Sequence, residues 1–300
     1  MEKIVLVNNI VGTLIKHGFS IAVSEGCFDI AARQEHLMLI KVLVNIDSLT
    51  EEQAASLRTI SYFLSAYPMV VSVKTNRDFL KDGVVYSRFQ LPVITPDMLD
   101  MVLEEEAVAM KSAKGRYAAE IDVSALREKR KEMNMTIQEL ADAVGISKKA
   151  LYEIETKRTN PSIDTLGKLE KLLKTDLKTN YEMKTAGKSY MKPKDEFERT
   201  VDNELKRMGM ESSPVRSAPF EIVGKEKFSV ITSLSKNGLK IKRSARTVKS
   251  LSDMLATKGF FVVKKAKEKA VSGVPVLLES ELPDIESPKE LKKIIKEKSE

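Results

Sequence analysis

The sequence predicts an α+β chain of several domains, with an all-α domain near its middle set between two similar α/β domains. Three observations carry this. At 300 residues the chain is longer than one usual domain. A run from Thr136 to Glu155 reads as two short helices about a tight turn. The order of apolar elements in the first third recurs in the last third, displaced by 190–192 residues.

Taken in order, residues 3–16 form a helix with Ile4, Val7, Val11, Leu14 and Ile15 inward, closed by His17-Gly18. Strands follow at 19–24, 28–33 and 37–44, where apolar residues alternate or run together. Thr50 caps a helix running to about Ala66, and Gln53 completes a capping box. Strands at 69–75 and 84–90 lead through Leu91-Pro92 into a short helix. In the last third, 197–208 is a helix ended by Gly209, 220–223 and 227–234 are strands, 243–256 a helix and 260–265 a strand. A final helix carries Leu291.

The register of the repeat matches Gly18 with Gly209, and Phe28-Asp29-Ile30 with Phe220-Glu221-Ile222. It also matches Leu57, Ile60 and Leu64 with Val248, Leu251 and Leu255, Gly83 with Gly273, and Leu91-Pro92 with Leu282-Pro283. This divides the chain into an α/β domain at 1–103, a polar, helix-prone linker at 104–122, a helical domain at 123–177, a lysine-rich, mobile linker at 178–195 and a second α/β domain at 196–300.

In the central stretch Thr136 caps the first helix with Glu139 three residues on, and Leu140, Ala141 and Val144 form its apolar face. Gly145 reverses the chain, since glycine takes positive φ without a Cβ clash. Ser147 caps the second helix, with Leu151 and Ile154 inward. A charged helix at 126–134 precedes them. Pro161 opens a further helix, with Ile163, Leu166, Leu169 and Leu172 on one face. Order, caps and turn together make 123–177 resemble the Cro/C1 repressor type of helix-turn-helix domain. That family is all-α with five helices and lays its third helix in the DNA major groove.

The resemblance implies where DNA would be met. Lys148 and Lys149 begin the recognition helix, one suited to guanine O6 and N7 and the other to phosphate, with Tyr152 and Glu153 one turn on. Glu153 either accepts from cytosine N4 or balances Lys149 at i+4. Thr136, Gln138 and Ser147 lie at helix starts that suit a phosphate, and Lys157 and Arg158 suit the backbone beyond. The family often has glutamine directly after the first cap; here Ile137 stands there and Gln138 one later. Arg130 and Glu155 match a partly buried ion pair joining the family's first and third helices.

The flanking order of helix, three strands, helix and strand resembles the restriction-endonuclease-like core of archaeal junction resolvases. That core holds Mg²⁺ with an acid on one strand and Glu-x-Lys on the next. Here Asp29 supplies the acid, but Lys41 stands in place of the second acid and Leu43 in place of the lysine. In the second copy Glu221 could serve as the acid, and Val230–Leu234 again lacks the partners. The resemblance is to a degenerate core, so no catalytic residue, metal site or cofactor is expected, and Asp29 and Glu221 read as turn or surface positions.

Composition narrows the rest. No apolar run nears the ~20 residues of a membrane span, and no secretory leader is evident. The single cysteine, Cys27, with only His17 and His36, suits a reducing cytoplasm and leaves little for zinc. The net charge of +7 is uneven. Residues 1–123 hold 12 basic and 16 acidic side chains, 124–180 hold 12 and 9, and 181–300 hold 26 and 18. A basic centre and C-terminal part suit a nucleic-acid partner. The chain resembles the archaeal helix-turn-helix transcriptional regulators of this length. That implies a cytoplasmic, sequence-specific binder of double-stranded DNA, a homodimer, with a possible partner in the transcription machinery. The alternatives are a nuclease targeted by its helix-turn-helix and an adaptor using the same fold for protein contacts.

Overall fold

The computed structural model describes residues 2–104, 110–113, 116–119, 121–177, 182–236 and 239–299. Two compact units share the chain. One comprises Met1–Val71, Phe89–Leu91 and Lys184–Glu300, the other Ser72–Arg88 and Pro92–Met183.

The first unit opens with α1 (Lys3–Lys16), β1 (Ser20–Val23), β2 (Ile30–Arg33), β3 (Leu37–Asn45), α2 (Glu51–Leu64) and the first residues of β4 (Tyr67–Lys74). β1 to β4 lie side by side in that order, with β2 antiparallel to both β1 and β3. From Leu37 to Leu43 every residue of β3 is buried, as expected for a strand covered on both faces. α1 turns Leu6, Ile10 and Leu14 inward, while Ile4 and Ile15 are exposed. The expected face shared only Leu14 with this one. Its apolar residues are dense enough to offer two overlapping helical stripes.

The second unit holds β5 (Tyr86–Arg88), most of β6 (Leu91–Ile94), α3 (Pro96–Leu103), β7 (Met110–Ala113), β8 (Arg116–Ala119), α4 (Val123–Glu132), α5 (Ile137–Val144), α6 (Lys148–Glu155) and α7 (Ile163–Leu173). The stretch read as a helix-prone linker therefore differs. β7 and β8 pair antiparallel from Met110 opposite Ala119 to Ala113 opposite Arg116. The glutamate run at 104–106 suggested helix, but the residues beyond it follow hairpin logic; 105–109, 114, 115 and 120 lie outside the described residues.

The chain then returns to the first unit with α8 (Glu196–Arg207), β9 (Glu211–Pro214), β10 (Ile222–Lys225), β11 (Ser229–Ser235), α9 (Leu239–Met254), β12 (Lys258–Val263), β13 (Ala270–Val271), β14 (Val274–Leu278) and α10 (Pro288–Ser299). This sheet runs β13-β14-β12-β11-β10-β9. Its core joins Phe197, Val201 and Leu205 of α8 to Val230, Phe260, Val262 and Leu277 of the sheet and Leu291 and Ile295 of α10. β9 to β12 repeat the order of β1 to β4, and the neighbours β14 and β13 answer to β6 and β5. Gly18 and Gly209, both at positive φ, close the first helix of each copy.

Two pairings in the expected register do not hold. Leu91-Pro92 lies in β6, whereas Leu282-Pro283 lies in a 3-10 turn at Glu279–Asp284. Gly273 sits in the turn between β13 and β14, whose counterpart is Phe89-Gln90 and not Gly83. Both turns have two successive positive φ values, 48° and 63° against 51° and 74°, the conformation of a tight hairpin turn. The copies keep one offset only through the fourth strand.

Within the first unit the copies also touch reciprocally. Arg33, last in β2, donates from Nε to Met254 O at 2.7 Å and from Nη2 to Leu255 O at 2.9 Å, at the end of α9. Lys225, last in β10, reaches Tyr62 O near the end of α2 at 3.5 Å and lies 3.5 Å from the Tyr62 ring centre. Each copy thus sends a cation from the same strand position to the carbonyl end of the other's long helix, where free acceptors and the dipole favour it. Gly26 also lies at a contact between the copies, against Ser217. At φ 137° its Cβ would fall 2.0 Å from Ser217 O, so no side chain fits.

The segment expected as a mobile linker, 178–195, is instead tied down where it is described. Lys178–Tyr181 lie outside the described residues. Beyond them Ser189 Oγ bonds Thr59 Oγ1 at 3.0 Å, Met191 N donates to Ser213 Oγ at 2.9 Å, and Tyr190 donates to Glu211. The Tyr190 ring meets Phe63 edge-on at 5.9 Å. Two side chains, Tyr190 and Met191, anchor an otherwise polar stretch.

Candidate nucleic-acid interface

The central domain is built from local signals. Thr136 Oγ1 accepts from Glu139 N at 3.2 Å, and Glu139 accepts in return from Thr136 N at 2.8 Å. This capping box satisfies donors that the first turn of α5 leaves free. Those hydrogen bonds hold the Glu139 carboxyl below its ordinary range. Gly145 ends α5 at φ 75°, and Ser147 Oγ accepts from Ala150 N at 3.1 Å to start α6. Leu140, Ala141, Val144, Leu151 and Ile154 are buried together with Leu126, Leu166, Leu169 and Leu173. Leu172 is only half-buried, and the side chain of Ile163 lies outside the described residues. Asp122 N donates to Leu177 O at 2.9 Å, joining the two ends of the domain.

Two details differ from expectation. Pro161 precedes the cap of α7 and is buried, while Ser162 is the cap, accepting from Thr165 N at 3.1 Å. The resemblance implies five helices, and the described residues of 123–177 hold four, α4 to α7.

Arg130 and Glu155 come together as expected. Arg130 Nε and Nη2 donate to Glu155 Oε1 and Oε2 at 2.7 and 3.1 Å, a two-pronged pair that ties α4 to α6. Glu155 is only 4% exposed. The hydrogen bond to Glu155 is the main reason the Arg130 pKa is raised. Arg127, which the sequence reading did not single out, also donates to Glu155 O.

The eight candidate DNA-contact residues are all exposed. Lys148, Lys149 and Tyr152 lie on α6, whose other face is buried through Leu151 and Ile154. The Lys149 side chain is 85% exposed, and its nearest acid, Glu153, is 4.0 Å away. An exposed pair at that distance contributes little, which leaves Lys149 available. Arg158 lies 5.9 Å from the Tyr152 ring centre, so the end of the helix groups a cation and an aromatic face. Ser147 and Thr136 are at helix starts with their hydroxyls engaged in caps. Gln138 donates to Asp142 Oδ1 at 2.8 Å, and Lys157 follows α6 at φ 57°.

The acids of the two α/β copies form a second constellation. Asp29 is not a surface residue as expected: it is 2% exposed. Its Oδ2 accepts from Val42 N at 2.8 Å and its Oδ1 from Lys3 Nζ at 2.7 Å. Lys41 Nζ lies 3.2 Å from Asp29 Oδ2 and donates to Gly26 O at 2.5 Å. Burial pushes the Lys41 pKa down, against the opposing pull of Asp29. In the second copy Glu221, half-buried, accepts from Leu234 N at 2.8 Å and from Ser233 Oγ at 3.0 Å. Val42 and Leu234 occupy the same strand position, so both acids hold the same backbone N–H. Ser233 stands where Lys41 stands. The sequence indicated the substitutions but not that Lys41 would fold onto the acid.

Two stretches of the chain match known protein families. Residues 3–108 match the PD-(D/E)XK superfamily domain, and residues 126–179 match a helix-turn-helix family. The chain is 33% identical to a protein of Pyrococcus horikoshii across 99% of this chain and 98% of that one. It is 30% identical to a protein of Archaeoglobus fulgidus across 98% of each. Both relatives bear the name "Putative HTH-type transcriptional regulatory protein". No solved structure matches the chain. No helix among the described residues is long and apolar enough to cross a membrane.

Proposed function

The chain belongs to the family of HTH-type transcriptional regulatory proteins that these archaeal relatives represent, and from that premise we propose that it binds duplex DNA sequence-specifically through α6. The observation that carries this reading is the division of α6 itself. Leu151 and Ile154 lock one face into the core, while Lys148, Lys149 and Tyr152 are exposed on the other. Lysines there can donate to guanine O6 and N7 or to phosphate. Thr136, Gln138, Ser147, Lys157 and Arg158 then contact the backbone on either side. One such domain covers a short half-site, so the working form is a homodimer. The contact between the α/β copies is already made within one chain, so dimerisation uses another surface. The reading carries with it a cytoplasmic location and contacts with the transcription machinery. Selection from a random duplex pool should converge on two half-sites about one helical turn apart. A pool that never enriches contradicts the reading.

The superfamily match at 3–108 favours a second reading, a nuclease. Against it, the residues present do not fit a divalent cation. The Lys41 ammonium already faces Asp29 at 3.2 Å, and Leu43 can neither bind metal nor polarise water. We therefore propose that the domain is not a nuclease. Branched or duplex DNA incubated with the chain and Mg²⁺ or Mn²⁺ should stay intact. Cleavage that disappears on Asp29→Asn would contradict this.

A further inference from the structure

The two α/β copies differ sharply in one place, the outer face of the long helix. At the 191-residue offset, Glu51, Glu52 and Ala55 of α2 become Lys242, Arg243 and Arg246 of α9, while Arg58 matches Lys249. On α2, Ser56 and Thr59 are covered by Met191 and Ser189 of the 184–195 segment. On α9, Lys242, Arg243, Arg246 and Lys249 are all exposed. Their spacing of three, four and seven residues sets them along one side of the helix.

The first turn of α9 contains no acid. Lys242 closes this first turn, and Arg243, Arg246 and Lys249 lie further along the helix, beyond the reach of its N-terminal dipole, so their clustering is neither favoured nor opposed by it. Only the outer two cations are balanced, Lys242 by Glu268 at 3.4 Å and Lys249 by Asp253 at 3.1 Å. Among the described residues Arg243 and Arg246 have no acidic partner within 4.0 Å. The Lys242–Glu268 pair brings the loop after β12 alongside, and with it exposed Lys265 and Lys267. α10 is also lysine-rich, but it begins with Glu290 in its first turn and carries Lys296 and Lys298 in its last, as its dipole prefers.

We propose that the exposed face of α9, with the loop after β12, is a second duplex-DNA contact that grips the phosphate backbone without reading sequence. Arginine guanidinium groups suit phosphate oxygens in pairs. This inference rests on the reading of the chain as a DNA binder, and it assigns the C-terminal domain a part in that binding.

The test measures affinity of the full chain for a duplex of arbitrary sequence across a salt series. Five proteins are compared: the native chain; Lys242→Gln, Arg243→Gln, Arg246→Gln, Lys249→Gln; the pair Arg243→Gln, Arg246→Gln alone; the same charge removed from α10 by Lys289→Gln, Lys292→Gln, Lys293→Gln, Lys296→Gln; and Lys148→Ala, Lys149→Ala. Each phosphate contact adds about 0.9 to the slope of log affinity against log salt, so the α9 variant should lose about two to four from the slope. The α10 variant should lose less than about one. Equal losses from α9 and α10, or an unchanged α9 slope, overturn the proposal. If the Lys148→Ala, Lys149→Ala variant alone weakens binding, the reading of α6 stands and this one falls. If the α9 loss appears while that variant binds this arbitrary duplex as the native chain does, the proposal stands, and the reading of α6 falls only if the variant also binds a selected duplex as the native chain does. A native chain that binds no duplex overturns both. The pair Arg243→Gln, Arg246→Gln guards against misfolding. Both side chains are exposed and lack an acidic partner among the described residues, so it should melt no lower than the native chain and still lose about one to two from the slope.

Discussion

Arg130→Ala is expected to unfold the central helical domain while leaving the α/β copies folded. Glu155 is 4% exposed, and Arg130 gives it two hydrogen bonds at 2.7 and 3.1 Å. Arg127 lies 3.9 Å from the same carboxylate with its own side chain 46% exposed, and cannot replace the pair. Removing one partner of a buried ion pair costs about 3–5 kcal/mol, because a charge is left without compensation. A domain of roughly 55 residues has only about 3–8 kcal/mol in total. Arg130 Nη1 also holds Met135 O at 2.8 Å, between α4 and α5, so the turn ahead of α5 loosens too. Hydrogen exchange of the full chain should show protection lost across 123–173 and kept in β3 and β11. Arg130→Met with Glu155→Leu removes both charges and should recover most of the stability. Native protection in Arg130→Ala would mean the pair is not what joins α4 to α6.

Lys148→Ala with Lys149→Ala is expected to lower affinity for a selected duplex by about 30- to 1,000-fold, or roughly 2–4 kcal/mol, from one base contact and one phosphate contact. The fold should not change, since both side chains are exposed and α6 is held by its buried face. Affinity for unrelated duplexes should fall much less. Titration of the two proteins against the selected and a scrambled duplex, with far-ultraviolet circular dichroism as the folding control, separates these effects. Equal losses on both duplexes would mean that α6 touches only phosphate.

The central domain was legible because its determinants are local. Thr136 with Glu139, Gly145 at positive φ and Ser147 before Ala150 each act within four residues, and the structure realises them as hydrogen bonds and turns. The α/β elements were legible as types, since β3 and α2 carry their own periodicity. What escaped depended on distant partners. The face of α1 was misread because its apolar stripes overlap, and only packing on the sheet selects Leu6, Ile10 and Leu14. The 184–195 segment looked mobile because its anchors, Thr59, Phe63 and Ser213, are far away in sequence. Asp29 looked superficial because Lys3 and Lys41 reach it from two other elements. β9 and β14 were missed because Ser212, Ser213 and Pro275 break the apolar pattern that marks a strand. The basic face of α9 was present in the composition of the C-terminal third. It became distinctive only beside α2, where Glu51, Glu52 and Ala55 stand opposite Lys242, Arg243 and Arg246.

Genome-wide mapping of bound DNA, in cells carrying the native chain or Lys148→Ala, Lys149→Ala, tests most directly that this protein reads DNA through α6. Discrete peaks sharing one sequence motif, abolished by the double substitution, are the expected result. Peaks that persist unchanged in the variant, or native occupancy without any shared motif, would contradict it.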